Sequence, residues 1–413
     1  MRVSKERIER DLKKLNQFNA NIKEPGTTRL PFTPEEDKCR KQLIKDFEDA
    51  GLEVYQDSIG NIFGRREGTD SNASPVMIGS HIDTVINGGM FDGNAGVIAG
   101  LEVVRTLNEY NITTEKPIEV AIFIIEESTA YGKSCVGSRA VSGTLEYEEL
   151  SKLVDKNGVS LEKAFKDRGI RKEEVLNAKK SSDDIDCYLE LHIEQADNLI
   201  KAQKPVGIIT AIAAATRFKV KLTGKAAHSG AAPMGERQDA LCAASEIILG
   251  IENIAYNEAG EHTVGTVGSI EVLPGAVNVV PGEAELMIDL RDIEKDTKDK
   301  ATEQIKQLIE KVCKNREIEV DYEITACDDP VPTSNHVFET MKDASDELNM
   351  STKIMHSAAA HDAAYIAKIT DMGMIFIRSY GGSHNPEEWA EFLDIAKGTE
   401  LLLETTIRLA NKL

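Results

Sequence analysis

The chain has 413 residues, and 49 Lys and Arg against 70 Asp and Glu leave a formal net charge of −21. So acidic a chain lacks the basic footprint by which nucleic acids and anionic membrane surfaces are bound, so neither is expected as a partner. Its 41% of hydrophobic residues excludes wholesale disorder.

Met1–Asn16 is dense in Lys, Arg and Glu and reads as an exposed amphipathic helix. It has no apolar run of the kind a secretory signal needs, and a cytoplasmic location is expected. Pro34–Ala50 also reads as helix, followed by short strands at Leu52–Gln56 and Asn61–Gly64 around the turn Asp57-Ser58-Ile59-Gly60. Val76–Ser80 is a short apolar strand, and Gly96–Glu109 a helix with Val97, Leu101, Val104 and Leu107 on one face. Ile118–Ile125, rich in β-branched residues, reads as a buried strand, and Cys187–Leu191 as another. This alternation implies an α/β domain with a central, mostly parallel sheet flanked by helices. The longest charge-free stretches, Ser71–Ile82 and Pro205–Thr216, fall short of the ~20 residues of a membrane span.

The pattern changes near residue 215. Arg217–Leu222 (strand), Asp239–Ile254 (helix), Thr263–Val272 and Glu283–Leu290 (strands), Lys295–Lys314 (helix) and Ile318–Ile324 (strand) follow in the order β-α-β-β-α-β. That order is the ferredoxin-like α+β motif. The expected organisation is a discontinuous catalytic domain of residues 1–214 and 330–413, with residues 215–329 inserted as a lid and dimerisation domain. After Pro332 a helix, the strand Met374–Ile377 and the helix Asp394–Asn411 complete the first domain. Cys39, Cys135, Cys187, Cys242, Cys313 and Cys327 are scattered without a C-x-x-C pair, which suits reduced thiols better than a disulfide framework or zinc finger.

Four strand ends carry groups that can hold a metal. His81 and Asp83 follow Val76–Ser80, and Asp92 sits in the Gly-rich turn before the helix at Gly96. Glu126 and Glu127 follow Ile118–Ile125, His192 and Glu194 follow Cys187–Leu191, and His384 follows Met374–Ile377 in a Gly-Gly-Ser-His turn. In open α/β sheets, sites form outside the carboxyl ends of the strands, so parallel neighbours would bring these groups into one crevice. A mixed imidazole and carboxylate set suits Zn, Mn, Co or Ni better than Mg or Ca. About five ligands suffice for two metals sharing a carboxylate, ~3.5–4 Å apart, with a bridging water. Adjacent carboxylates at a strand end point to opposite faces, so one of Glu126 and Glu127 can ligate metal while the other faces the substrate.

With these stretches in view, the sequence resembles the hydantoinase/carbamoylase family of metal-dependent amidases, relatives of the dinuclear aminopeptidases and carboxypeptidases. The resemblance runs nearly end to end. It is carried by Gly79-Ser80-His81-Ile82-Asp83-Thr84-Val85, Gly88-Gly89-Met90-Phe91-Asp92-Gly93-Asn94-Ala95-Gly96-Val97, Glu126-Glu127 with Gly137-Ser138-Arg139-Ala140, and Glu190-Leu191-His192-Ile193-Glu194-Gln195. It continues through Ala227-His228-Ser229-Gly230, Arg237-Gln238-Asp239-Ala240, Pro274-Gly275-Ala276-Val277-Asn278, Asp289-Leu290-Arg291, His361-Asp362-Ala363 and Gly382-Ser383-His384-Asn385-Pro386.

The resemblance implies two divalent ions per chain, zinc first, with Mn, Co or Ni as alternatives. One would be held by His81, Asp92 and His192, the other by Asp92, Glu127 and His384, with Asp92 bridging. It further implies Glu126 as general base toward a metal-bridging hydroxide, Asp83 as the carboxylate that orients His81, and a cis peptide after Asp92. Gln195, Asn278 and Arg291 would bind the substrate carboxylate, Arg291 through its planar fork. His228 would stabilise the oxyanion, commonly across the interface of a homodimer formed by the inserted domain. The implied activity is cleavage of the ureido C–N bond of N-carbamoyl-L-amino acids, with allantoate or a β-ureido acid as alternative substrates and a dinuclear exopeptidase as a more distant one. His262, His336 and His356 have no such context and read as structural or surface residues. Ser128-Thr129-Ala130-Tyr131-Gly132 and Arg378-Ser379-Tyr380-Gly381-Gly382 depart from the family's usual runs and bear on the choice of substrate side chain.

Overall fold

The computed structural model describes residues 1–411; the last two residues of the expected catalytic domain lie outside the described residues. The chain divides into a larger unit, Met1–Thr210 with Thr333–Met355 and the segment from His361 on, and a smaller unit, Ala211–Pro332 with His356–Ala360.

The larger unit is an α/β layer structure. Its principal helices are α1 (Lys5–Leu15), α2 (Pro34–Asp49) and α3 (Asn94–Glu109). Its strands are β1 (Glu53–Gln56), β2 (Ile62–Arg66), β3 (Val76–His81), β4 (Ile118–Phe123), β5 (Cys187–Ile193) and β6 (Val206–Ile212), the last ending in the smaller unit. α1 starts where the Ser4 hydroxyl accepts from the Arg7 N–H at 3.2 Å, and α2 where Thr33 does the same for Glu36 with Pro34 at the first position.

In the smaller unit β7 (Ala214–Thr223), α4 (Ala240–Asn253), β8 (Val264–Leu273), β9 (Glu283–Asp292), α5 (Lys295–Arg316) and β10 (Glu319–Cys327) form a four-stranded antiparallel sheet in the order β10-β7-β9-β8. Alternation is clean along β7. Phe218, Val220 and Leu222 are buried with Ile247, Ile251, Leu286, Ile288, Ile305 and Ile309, on the side covered by α4 and α5. The other side carries ion pairs, Lys219–Glu285 at 3.1 Å and Lys221–Glu283 at 3.3 Å.

The chain then supplies α6 (Asn335–Glu347), β11 (Asp371–Ile377) and α7 (Phe392–Ala410) to the larger unit. The sheet there runs β1-β2-β4-β3-β5-β11-β6. β4, β3, β5 and β11 are mutually parallel, whereas β1, β2 and β6 run antiparallel to their neighbours. The fold is therefore α/β with a mostly parallel centre, and the buried strands are apolar on both faces because helices and loops cover both. Among the described residues no helix is long and apolar enough to cross a membrane.

Element ends differ from the sequence reading in ways that matter. β4 stops at Phe123 rather than Ile125, because Ile125 turns into the left-handed region at φ +51°. β5 runs on through His192 to Ile193, since Phe376 and Ile377 of β11 continue the ladder beside it. The strands Val206–Ile212 and Thr352–Ser357 and the short helices Val136–Ser142 and Leu161–Asp167 are not visible in the periodicity. They are short or uniformly apolar, so neither a 2- nor a 3.6-residue period develops.

Arg29 is wholly buried and ties three segments together. Its guanidinium donates to the carbonyls of Ile82 (2.7 Å), Leu15 (2.8 Å) and Phe18 (3.1 Å) and to Asn94 Oδ1 (2.6 Å). It thus anchors the end of α1, the turn after β3 and the first residue of α3. Arg29→Met is expected to strand these buried acceptors and cost about 3–5 kcal/mol, read as a lowered urea midpoint with unchanged slope. A loss under about 1 kcal/mol would mean that the acceptors find other donors.

Candidate metal centre

The parallel order of β4, β3, β5 and β11 places their carboxyl ends along one edge of the sheet. His81 is the last residue of β3, paired with Phe123 of β4. His192 is the penultimate residue of β5, paired with Phe376 of β11. Glu126 and Glu127 leave β4, His384 follows β11, and Asp92 enters from the turn before α3.

Asp92 is the centre of the arrangement. Its Oδ1 faces His192 Nε2 at 3.1 Å and His81 Nε2 at 3.4 Å, and its Oδ2 faces His384 Nε2 at 3.6 Å. His384 Nε2 lies 3.4 Å from Glu127 Oε1. Two three-residue cradles result, His81–Asp92–His192 and Asp92–Glu127–His384, sharing one carboxylate. The first is buried, whereas the His384 side chain is 52% exposed.

Two close approaches shape the turn at Asp92. Gly93 has φ +63°, and a Cβ there would lie 2.5 Å from atoms of the His81 ring. A Cβ at Gly96 would collide with the Leu191 carbonyl oxygen of β5. The expected cis peptide after Asp92 is absent; the cis bond among the described residues is Leu273–Pro274. Glycine at a left-handed φ makes the reversal at Asp92 instead.

Asp83 acts differently from expectation. Its carboxylate is 3.7 Å from His81 Nδ1, which instead bonds the Asp83 backbone carbonyl at 3.0 Å. The carboxylate oxygens accept the backbone N–H groups of Glu126 (3.2 Å) and Glu127 (3.0 Å). Asp83 therefore holds the strained turn at Ile125 and aims both glutamates. Glu126 Oε2 lies 3.7 Å from His81 Nε2, and its Oε1 accepts from the Cys135 thiol at 3.1 Å.

Burial and mutual repulsion govern the charges. Desolvation, with Glu126 and Asp92 beside it, pushes Glu127 up to about 10. Desolvation, with Asp83 and Asp92 adding, pushes Glu126 up to about 7. Burial also works to raise Asp92, but His192 and His81 overcome it and hold Asp92 well below the usual carboxylate range. Burial works to lower His81 and His192, and the facing carboxylates reverse this and raise both.

The donor chemistry fits divalent metal ions. His81 Nδ1 and His192 Nδ1 each bond a backbone carbonyl, at 3.0 and 2.9 Å, so each ring carries its proton there when neutral. Both Nε2 lone pairs then face the Asp92 carboxylate, an arrangement of acceptors that a bound cation would satisfy. With metal–ligand bonds of ~2.1 Å, neighbouring ligand atoms in tetrahedral coordination stand about 3.4 Å apart, and the four histidine–carboxylate approaches in the cradles span 3.1–3.6 Å.

Around the cradles lie Gln195, expected at the substrate, and further groups to which the sequence reading gave no role. Gln195 Nε2 donates to Asp92 Oδ2 at 2.9 Å, and Gln195 Oε1 is buried without a partner. Ser383 Oγ is 2.8 Å from both Asp92 Oδ2 and Glu388 Oε2. The His361 ring packs edge-on to His192 at 4.5 Å, and burial holds its pKa well below the ordinary value. Glu190, beneath them in β5, accepts from Ser80 Oγ at 3.0 Å and Ala363 N–H at 2.9 Å. His361 and Asp362, Ser383 and Glu190 lie in the motifs quoted above; Glu388 had no signal beyond its nearness to His384.

His228, Asn278 and Arg291 belong to the smaller unit. His228 is exposed on the two-residue strand Ala227–His228, paired with Val279–Val280, and the Ser229 N–H bonds the Asn278 carbonyl at 3.0 Å. Arg291 is the penultimate residue of β9, with its fork on Asp289, Nε at 2.7 Å and Nη2 at 3.2 Å, and Nη1 on the Ala358 carbonyl at 2.8 Å. His262 and His356 stack edge to face at 4.7 Å.

Fold and site together define a metal-dependent amidohydrolase. Residues 77–408 match the family described as Peptidase family M20/M25/M40, and the chain belongs to that family, whose enzymes are metal-dependent. It is 39% identical over 409 residues to the N-carbamoyl-L-amino-acid amidohydrolase of Pseudomonas sp. (strain NS671), covering 98% of each. It is 32% identical over 405 residues to the allantoate amidohydrolase of Escherichia coli (strain K12), covering 98% of this chain and 97% of the relative. A solved hydantoinase/carbamoylase family amidase from Burkholderia multivorans has a TM-score of 0.90 at 29% identity, covering 99% of this chain and 98% of that one.

Gly93→Ala is expected to strain the turn by about 1–3 kcal/mol and press on the His81 ring. Urea unfolding should show that loss, and metal analysis should show reduced divalent-metal content. Wild-type metal content in the variant would mean that the turn can move without disturbing the ligands.

Proposed function

We propose that the chain hydrolyses the ureido C–N bond of N-carbamoyl-L-amino acids, releasing the amino acid, ammonia and carbon dioxide. The observation that carries the reading is the pair of cradles sharing Asp92 with Glu126 alongside. Near-complete coverage of the N-carbamoyl-L-amino-acid amidohydrolase relative supports the substrate class. Allantoate, also a ureido acid, is the second reading, supported by the second relative.

His81, Asp92 and His192 would hold one divalent ion, and Asp92, Glu127 and His384 another, zinc first. Bound divalent ions supply Lewis acidity toward a carbonyl oxygen and acidify water. Glu126 takes the proton of the attacking water at Oε2 and hands it to the departing nitrogen, as a carboxylate whose pKa is pushed up to about 7 by burial can do. Cys135 and the Asp83-held backbone fix the direction of that carboxylate.

The substrate carboxylate is read by Arg291, with Asn278 and Gln195 contributing polar contacts. Asp289 is shared by Arg291 and Arg217, the latter at 2.8 Å, so two guanidinium groups face one carboxylate and a positive charge is left over for an anionic ligand. His228 Nδ1 accepts from the Gly230 N–H at 3.1 Å, which leaves its proton on Nε2 as a donor for a developing oxyanion. We further infer that residues 215–329 act as lid and homodimerisation domain, that residues 1–214 and 330–413 form the catalytic domain, and that the enzyme works in the cytoplasm.

Glu126→Gln is expected to keep its metal content and lose about 10²–10⁴-fold in kcat. Near wild-type turnover would move the base elsewhere. Arg291→Ala is expected to lose about 30- to 4,000-fold in kcat/KM, since removing one partner of a desolvated charge pair costs ~2–5 kcal/mol. The comparison that decides is one N-carbamoyl amino acid with its carboxylate free and as the amide. Wild type should prefer the free acid and Arg291→Ala should not. Arg291→Lys should also be poor, because an ammonium does not reproduce the planar fork.

A further inference from the structure

Glu388 lies beside Asp92 and is buried. Its Oε1 accepts the backbone N–H of Phe91 at 3.3 Å and of Asp92 at 3.2 Å, across 297 and 296 residues of chain. Its Oε2 is 2.8 Å from Ser383 Oγ, which is 2.8 Å from Asp92 Oδ2. One carboxylate thus grips Asp92 at both ends, directly at its backbone nitrogen and through Ser383 at its side chain. The residues next to each partner pack as well. Trp389 and Phe91 meet edge to face, with centroids 5.2 Å apart at 87°. Gly89 leaves the room, since a Cβ there would collide with the Glu388 carboxyl.

We infer that Glu388, acting through Ser383, is a positioning residue for Asp92, and that this clamp couples the turn carrying Asp92 to the turn carrying His384. Three features converge on that role. Asp92 Oδ2, the oxygen facing His384, is the one Ser383 contacts. Ser383 immediately precedes His384, so the same hydroxyl restrains both members of the second cradle. His384 itself has a left-handed backbone, φ +59°, and is the most exposed ligand, so it depends on such support to be held in place. The inference rests on Asp92 being the shared metal ligand.

The test measures Zn²⁺ affinity of the apo full-length chain by competition with a chromophoric chelator, alongside the melting temperature with and without Zn²⁺. Glu388→Ala is expected to weaken Zn²⁺ binding about 10- to 100-fold and to shrink the Zn²⁺-induced rise in Tm. Glu388→Gln, which keeps an acceptor oxygen for the two N–H groups, should recover most of the affinity. Ser383→Ala should weaken binding about tenfold, and the double variant should resemble Glu388→Ala because the two residues act in series. If Glu388→Ala and Ser383→Ala lower the apo Tm but bind Zn²⁺ like wild type, Glu388 is only structural and the inference is overturned. Additive losses in the double variant would overturn the relay through Ser383. Asp92→Asn separates the two readings. If it too binds Zn²⁺ like wild type, the metal reading itself fails; if it alone loses Zn²⁺, only the clamp does.

Discussion

The arrangement turns on a single carboxylate that must serve two sides. Asp92 presents one oxygen to His81 and His192 and the other to His384, in a crevice where Glu126, Glu127 and Asp83 are also buried. Four carboxylates so close, away from water, cannot all carry charge without cations among them. Burial pushes Glu127 up to about 10 and Glu126 to about 7, while the imidazoles hold Asp92 ionised. Divalent ions bound in the cradles would remove this conflict, and they would also make the charged form of each ligand the favoured one.

Holding that cluster together costs backbone strain, and the strain sits where the strands end. Ile125, Gln195 and His384 take left-handed φ values of +51°, +62° and +59° on leaving three of the central strands, and Cys135 does so beside Glu126 at +58°. A β-branched residue such as Ile125 adopts that conformation only when its surroundings impose it. Asp83 does so here, by accepting both following N–H groups. Rigid parallel strands bring the ligands to one edge, and strained turns set their directions within it.

In the proposed reading the smaller unit meets a different requirement. Lewis acidity and a base do not choose a substrate, so recognition needs groups able to contact the rest of the molecule. Arg291 is the next-to-last residue of a strand whose opposite face is packed under α4 and α5, which gives its side chain a firm base. In this conformation its fork is held by Asp289, so in the proposed reading that pairing would be exchanged for, or shared with, an anionic substrate group. The same logic applies to His228, where the Gly230 N–H selects the tautomer before any ligand arrives.

Much of this was legible in the sequence. The alternation of apolar strands and amphipathic helices implies a parallel α/β sheet, and parallel strands aim their carboxyl ends at one edge. Hence His81, Glu126, Glu127, His192 and His384 could be placed along that edge from their positions after strands, and Asp92 joined to them from the turn before the helix. The β-α-β-β-α-β order of the inserted segment was likewise readable, because its strands are half exposed and alternate. What periodicity does not encode is which oxygen of Asp92 faces which histidine, or that the Asp83 carboxylate serves the glutamate N–H groups rather than His81. Nor does it reveal Arg29 buried among carbonyls or Glu388 beneath Asp92. Local pattern reports the face on which a residue lies, whereas these contacts join residues tens to hundreds of positions apart. They are decided by how turns pack once every buried polar group must find a partner.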